Sequence, residues 1–170
     1  NSIGRNSFRA VATKTDSVSN TRVLSVNVVS DIQPKQYTYK TVNTYPHNTG
    51  FYTQGLEFHE GFSYEGTGEN GKSGLFKINL SNGNVLEEYH LADKYFGEGI
   101  TILNDKIYQL TYRSQKGFVY NLADFAVIDS FQFQSEQGWG LTNDGENLIM
   151  SNGTNQIIWL NPDDFSEVRR

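Results

Sequence analysis

The chain has 170 residues, a formal net charge of −5 at pH 7, no cysteine and 3 prolines, with 16 glycines, 10 tyrosines and 11 phenylalanines. The missing cysteines exclude disulfides, thiolate nucleophiles and cysteine-based metal sites together. A net negative chain without a basic stripe argues against nucleic acid as the main partner.

No apolar run approaches the roughly 18 residues of a membrane span, and no signal peptide is visible. Residue 1 is Asn, not Met, so the start of the reading frame is expected upstream. The absence of cysteine fits a bacterial extracytoplasmic protein, and a periplasmic or secreted location is expected. Abundant aromatics, frequent glycine and no long helical period predict an all-β protein.

Residues 1–32 are rich in Ser, Thr, Asn and Val. Alternation over Ser7–Thr13 and Arg22–Val29 predicts two strands, with a turn at Asp16-Ser17-Val18-Ser19-Asn20. Such a pair resembles the tail of an immunoglobulin-like β-sandwich. Residues 33–36 then read as a linker.

From residue 37 onward the chain is expected to be one domain, to residue 170, built of repeats. Gly55-Leu56-Glu57, Gly99-Ile100-Thr101 and Gly140-Leu141-Thr142 recur about every 42 residues, each opening a strand. Second strands are predicted at Phe62–Glu65, Lys106–Thr111 and Asn147–Ser151, and third strands at Leu75–Leu80, Gly117–Leu122 and Ile157–Leu160. Fourth strands are predicted at Asn84–Tyr89, Phe125–Phe131 and Phe165–Arg169. Four antiparallel strands per repeat is the unit of a β-propeller blade. Tyr37–Tyr45 reads as an orphan outer strand that closes a ring. A ring of about three blades is below the usual range, so closing blades are expected outside this chain.

Gly97-Glu98-Gly99 places a carboxylate between two glycines, beside Tyr95 and Phe96. The glycines let a small molecule or another backbone approach Glu98. Nearby aromatic rings would desolvate it and raise its pKa toward a value suited to proton transfer. Gln54, Glu98 and Trp139 each precede the repeated glycine. In a propeller they converge on one mouth of the channel, and chemically different side chains at equivalent positions point to a site.

Four segments together resemble the plant- and bacterial-type glutaminyl cyclase (glutamine cyclotransferase) family, over about residues 40–170. They are Tyr45-Pro46-His47 with Tyr52-Thr53-Gln54-Gly55-Leu56, Tyr64-Glu65-Gly66-Thr67-Gly68, Tyr95 to Thr101 with Tyr108-Gln109-Leu110-Thr111, and Gly138-Trp139-Gly140-Leu141-Thr142. The resemblance implies a five-bladed propeller that converts N-terminal glutamine of peptides or proteins to pyroglutamate and releases ammonia, without metal or cofactor. It implies Glu98 as general acid and base, Tyr52, Phe96 and Trp139 as an aromatic wall, and Gln54 as the group holding the substrate amide. Tyr112 stands where the family usually has Trp, which keeps an aromatic face.

Other motifs are discounted. Gly66-Thr67-Gly68-Glu69-Asn70-Gly71 matches G-x-G-x-x-G, but a strand follows and not a helix. His47, His59 and His90 are widely spaced, so they read as turn or surface residues and not as zinc ligands. Asn79-Leu80-Ser81 and Asn152-Gly153-Thr154 fit the glycosylation pattern, and Asp163-Asp164 reads as a hairpin turn. The main alternative is a non-catalytic propeller binding a protein or peptide at its channel face. A metal-dependent propeller hydrolase is a third reading, weakened because Glu98 alone reads as an inward carboxylate.

Overall fold

The computed structural model describes residues 3–14 and 18–170, all in strands, turns and irregular segments. Two units are distinguished, residues 1–42 and 43–170.

The first unit holds an antiparallel pair, β1 (Gly4–Lys14) and β2 (Val18–Val28). Its register sets Phe8 opposite Leu24 and Asn6 opposite Val26 on one face, and Ser7 opposite Ser25 on the other. Because strand side chains alternate, the face of Phe8 and Leu24 is the more apolar and the face of Ser7 and Ser25 the richer in hydroxyls. The predicted turn is shorter than expected. Asp16 and Ser17 lie outside the described residues, but Val18, Ser19 and Asn20 belong to β2, since the ladder runs on to the pair Lys14 and Val18.

Tyr37–Tyr45, expected as an orphan outer strand, has no partner strand among the described residues, as the orphan reading requires. Residues 29–48 carry no strand. A strand exists through its ladder, and among the described residues nothing pairs with this segment.

The second unit consists of three four-stranded antiparallel sheets, each strand paired with the next in sequence. The first blade is β3 (Thr53–His59), β4 (Phe62–Thr67), β5 (Gly74–Asn79) and β6 (Val85–His90). The second is β7 (Gly97–Leu103), β8 (Lys106–Thr111), β9 (Lys116–Asn121) and β10 (Val127–Gln132). The third is β11 (Leu141–Asn143), β12 (Leu148–Ser151), β13 (Ile157–Leu160) and β14 (Glu167–Arg169). No helix occurs among the described residues.

The second blade is packed on both faces. Ile107, Phe118 and Tyr120 join Tyr64 and Leu75 of the first blade in one core. Tyr108, Leu110 and Val119 join Leu148, Met150, Ile158 and Leu160 of the third in another. Alternate residues of β8 and β9 thus serve opposite cores, which explains their nearly continuous apolar runs.

Two boundaries differ from expectation. Gly55 and Gly99 lie inside β3 and β7, because pairing starts upstream at Thr53 and Gly97. The fourth strands start later than Phe125 and Phe165, for these have φ of 55° and 59° and belong to turns. The turns repeat among themselves. The amides of Gly83, Phe125 and Phe165 donate to the carbonyls of Asn79, Asn121 and Asn161, at 2.8, 3.0 and 2.9 Å. Each of these Asn side chains also accepts an amide two residues on, so Asn79 is a turn device.

Candidate active site

Gln54, Glu98 and Trp139 each sit at a place where the inner strand carries one residue more than its partner. In the first blade Thr53 pairs with Thr67 but Gly55 with Gly66, so Gln54 is extra. In the second, Gly97 pairs with Thr111 and Ile100 with Gln109, so Glu98-Gly99 span a single partner residue. In the third, the Trp139 amide donates to Ser151 O at 3.0 Å and Gly140 O accepts from Ser151 N at 3.0 Å, two residues against one. A β-bulge turns its side chain out of the regular alternation and bends the strand. The repeated device aims three chemically different side chains at one place.

The glycines after Gln54 and Glu98 serve the contact between blades. A Cβ on Gly55 would lie 2.5 Å from Ile100 N, and one on Gly99 would lie 2.4 Å from Leu141 N and 2.6 Å from Trp139 O. At that spacing the Gly99 amide donates to Trp139 O, at 2.9 Å, from one blade to the next.

Tyr52, Gln54, Phe96, Glu98, Tyr112 and Trp139 line one cleft of about 260 Å³. These are the six residues singled out in the sequence. Four of their rings form a continuous run with mostly edge-on contacts. Centroids lie 6.2 Å apart for Tyr52 and Phe96, 5.9 Å for Phe96 and Tyr112, and 6.4 Å for Tyr112 and Trp139. The rings are anchored through their backbones: Gly68 N donates to Tyr52 O, Tyr112 N to Phe96 O and Gly138 N to Tyr112 O. The Trp139 indole N–H donates to Gln137 Oε1 at 2.8 Å, and Gly153 packs under its ring.

Glu98 is only 9% exposed. Burial pushes its carboxyl from the ordinary 4.5 up to about 7. Among the described residues no side chain donates a hydrogen bond to it, so nothing offsets the desolvation of the charged form. A carboxyl in that range takes and returns protons near neutral pH.

Behind the cleft lies a buried polar layer that sequence reading missed. Ser73 Oγ accepts the Gly97 amide at 2.9 Å, and Thr67 Oγ1 accepts the Gly74 amide at 3.0 Å. Gln109 donates to Gly74 O at 3.2 Å and accepts from Tyr120 Oη at 2.8 Å. A small polar residue ending each second strand (Thr67, Thr111, Ser151) was the available signal.

One expectation needs correction. His47 is half exposed but is more than a turn residue: its Nε2 lies 3.0 and 3.1 Å from the two oxygens of Glu65. Glu65 is fully buried but does not line the cleft. Glu65 faces away from the second blade, on the side covered by residues 43–52. There Phe51 packs on Phe76 at 4.2 Å and Pro46 against Gly83. His59 lies edge-on to Tyr64, and His90 is exposed beside Glu88.

The family model for glutamine cyclotransferase matches residues 10–170. The match therefore extends upstream of the expected 40–170, across β2 and part of β1. A curated glutaminyl-peptide cyclotransferase of Arabidopsis thaliana is 33% identical over 124 residues, which is 72% of this chain and 39% of that protein. The crystal structure of Myxococcus xanthus glutaminyl cyclase superposes with a TM-score of 0.67 at 29% identity, over 74% of this chain and 52% of that one. The β-propeller domain of Myceliophteria thermophila Cps50 (Swd1) shares the fold at a TM-score of 0.53 and 12% identity, over 71% of this chain and 38% of that one. The chain thus spans about two fifths to one half of the length of these cyclotransferase relatives. With the repeated bulges, the six-residue cleft and a match across most of its length, this chain belongs to the glutamine cyclotransferase family.

Proposed function

We propose that the protein is a glutaminyl-peptide cyclotransferase that closes N-terminal glutamine of a peptide to pyroglutamate. The observation that carries this reading is the convergence of Gln54, Glu98 and four aromatic rings in one cleft, with the Glu98 carboxyl near 7. In this reading the α-amine of the substrate attacks its own side-chain amide carbon. A C–N bond forms, the bond to the amide nitrogen breaks, and ammonia leaves. Glu98 as carboxylate takes the amine proton and returns it to the departing nitrogen, so it ends each turnover as it began. Tyr52, Phe96, Tyr112 and Trp139 enclose the folded glutamine side chain, and the Gln54 amide holds the substrate amide, which keeps the reacting atoms in a ring-forming arrangement. The likeness to two glutaminyl cyclases supports the same assignment.

The first unit also belongs to this proposal. Its apolar face, with Phe8, Leu24 and Val26 exposed, supports the reading of β1 and β2 as part of a β-sandwich.

The test is incubation of the full-length protein with a glutaminyl peptide, following ammonia and the pyroglutamyl product. Stoichiometric release of both is expected. A well-folded protein that binds the peptide but releases no ammonia would overturn the enzymatic reading in favour of a peptide-binding propeller.

A further inference from the structure

Glu65 has no solvent exposure, and a buried carboxylate is costly unless it is paired and hydrogen-bonded. Its partners are His47, which contacts both oxygens, and Thr53, whose hydroxyl donates to Oε1. The Thr53 bond depends on the bulge beside it. Thr53 and Leu56 are three residues apart, so in a regular strand their side chains would point to opposite faces. The extra residue Gln54 brings both to one face, opposite Thr67 and Glu65 respectively. The hydroxyl reaches Glu65 only while the bulge is present, and a slip of one residue would turn it away.

We propose that His47, Thr53 and Glu65 are positioning residues which lock the strand register at the Gln54 bulge and so fix the direction in which the Gln54 amide enters the cleft. The proposal rests on the cyclotransferase reading for its effect on catalysis but not for its effect on the backbone. Glu65 supplies a fixed acceptor inside the blade, and His47, arriving from residues 43–52, completes its bonds. Thr53 carries the constraint to the neighbouring Gln54. None of the three lines the cleft.

The test uses Thr53→Val in the full-length protein, which keeps shape and removes the hydroxyl. KM for a glutaminyl peptide should rise about tenfold, the scale of one lost hydrogen bond, with kcat changed less. Amide hydrogen exchange at Gln54 and Gly55 should become faster. Thr53→Ser should restore both. In a Gln54→Ala background Thr53→Val should cost nothing further in KM, because the residue it positions is gone. His47→Leu, at a half-exposed site, should act in the same direction and keeps the idea testable should Thr53→Val fold poorly. Unchanged exchange at Gln54, or the same loss of KM with and without Gln54, would overturn the proposal. If the wild-type protein releases no ammonia, the cyclotransferase reading fails and the exchange measurement alone decides the positioning role.

Discussion

At the Gln54 bulge the strand is held by a side chain, Thr53 on Glu65; at the Glu98 bulge the corresponding position is Gly97, and its backbone amide is held by Ser73 Oγ. The difference follows from space. A Cβ on Gly97 would lie 2.5 Å from Thr67 O and 2.9 Å from Gln109 Nε2, so the second blade has no room for an anchoring side chain there. The first blade presents its inner strand half-exposed, whereas β7 is buried along its whole length between β3 and β11. The same backbone device thus yields a half-buried amide in one place and a desolvated carboxyl near 7 in the other. Position in the ring, more than the local motif, sets the acidity of Glu98.

The strongest way to break this comparison is to make the two bulges chemically alike. Glu98→Gln keeps shape and hydrogen-bonding capacity but cannot accept the amine proton. Ammonia release should fall by at least about 10²-fold, the lower range for general acid–base catalysis. Near-normal turnover by a folded variant would remove Glu98 from the mechanism.

Next in size is the contact that buries Glu98. Gly99→Ala puts a methyl group against the backbone of Leu141 and Trp139. Unfolding free energy should drop by about 1–3 kcal/mol, the usual cost of overpacking, seen as a lower denaturant midpoint. Unchanged stability would show that the blades part easily at the cleft.

Gln54→Ala tests the other bulge. Losing one hydrogen bond to substrate should raise KM several-fold, up to about tenfold, while the proton carrier stays in place. A loss confined to kcat would give Gln54 a role in the chemical step instead.

The burial of Glu98 should also show in stability against pH. A carboxyl raised from 4.5 to about 7 binds its proton more tightly in the folded protein than in the unfolded chain. Its contribution is therefore fully present below 4.5 and is lost as pH rises through about 7. Thermal scans across that window should show the wild-type protein losing stability relative to Glu98→Gln as pH rises. Over the same window turnover should rise, because the carboxylate is the reactive form. Parallel stability curves for the two proteins would mean that Glu98 titrates as an exposed group.

The blade pattern was legible because strand alternation and turn formers are local. Leu75–Leu80, Lys106–Thr111 and Ile157–Leu160 were placed within a residue or so of β5, β8 and β13. Phe125 and Phe165 misled because their aromatic character suggests strand, yet each occupies a left-handed turn position held from Asn121 and Asn161. Tyr37–Tyr45 was read as an orphan, and it carries no ladder among the described residues because no partner strand is there. The six cleft residues were found through repeat position and resemblance, whereas Ser73, Gln109 and the Glu65 network were not, since a buried polar residue in a strand looks like any other polar residue in sequence.

The sequence by itself determined three sheets of four strands, the equivalence of Gly55, Gly99 and Gly140, and the set of side chains that meet in the cleft. Period-two alternation and a repeat of about 42 residues depend only on the order of residues. Only the tertiary structure decided that Gln54, Glu98 and Trp139 sit on bulges, that Glu65 is sealed under His47, and that β7 is buried along its whole length. Those properties depend on which blade packs against which face, and burial is set by neighbours distant in sequence.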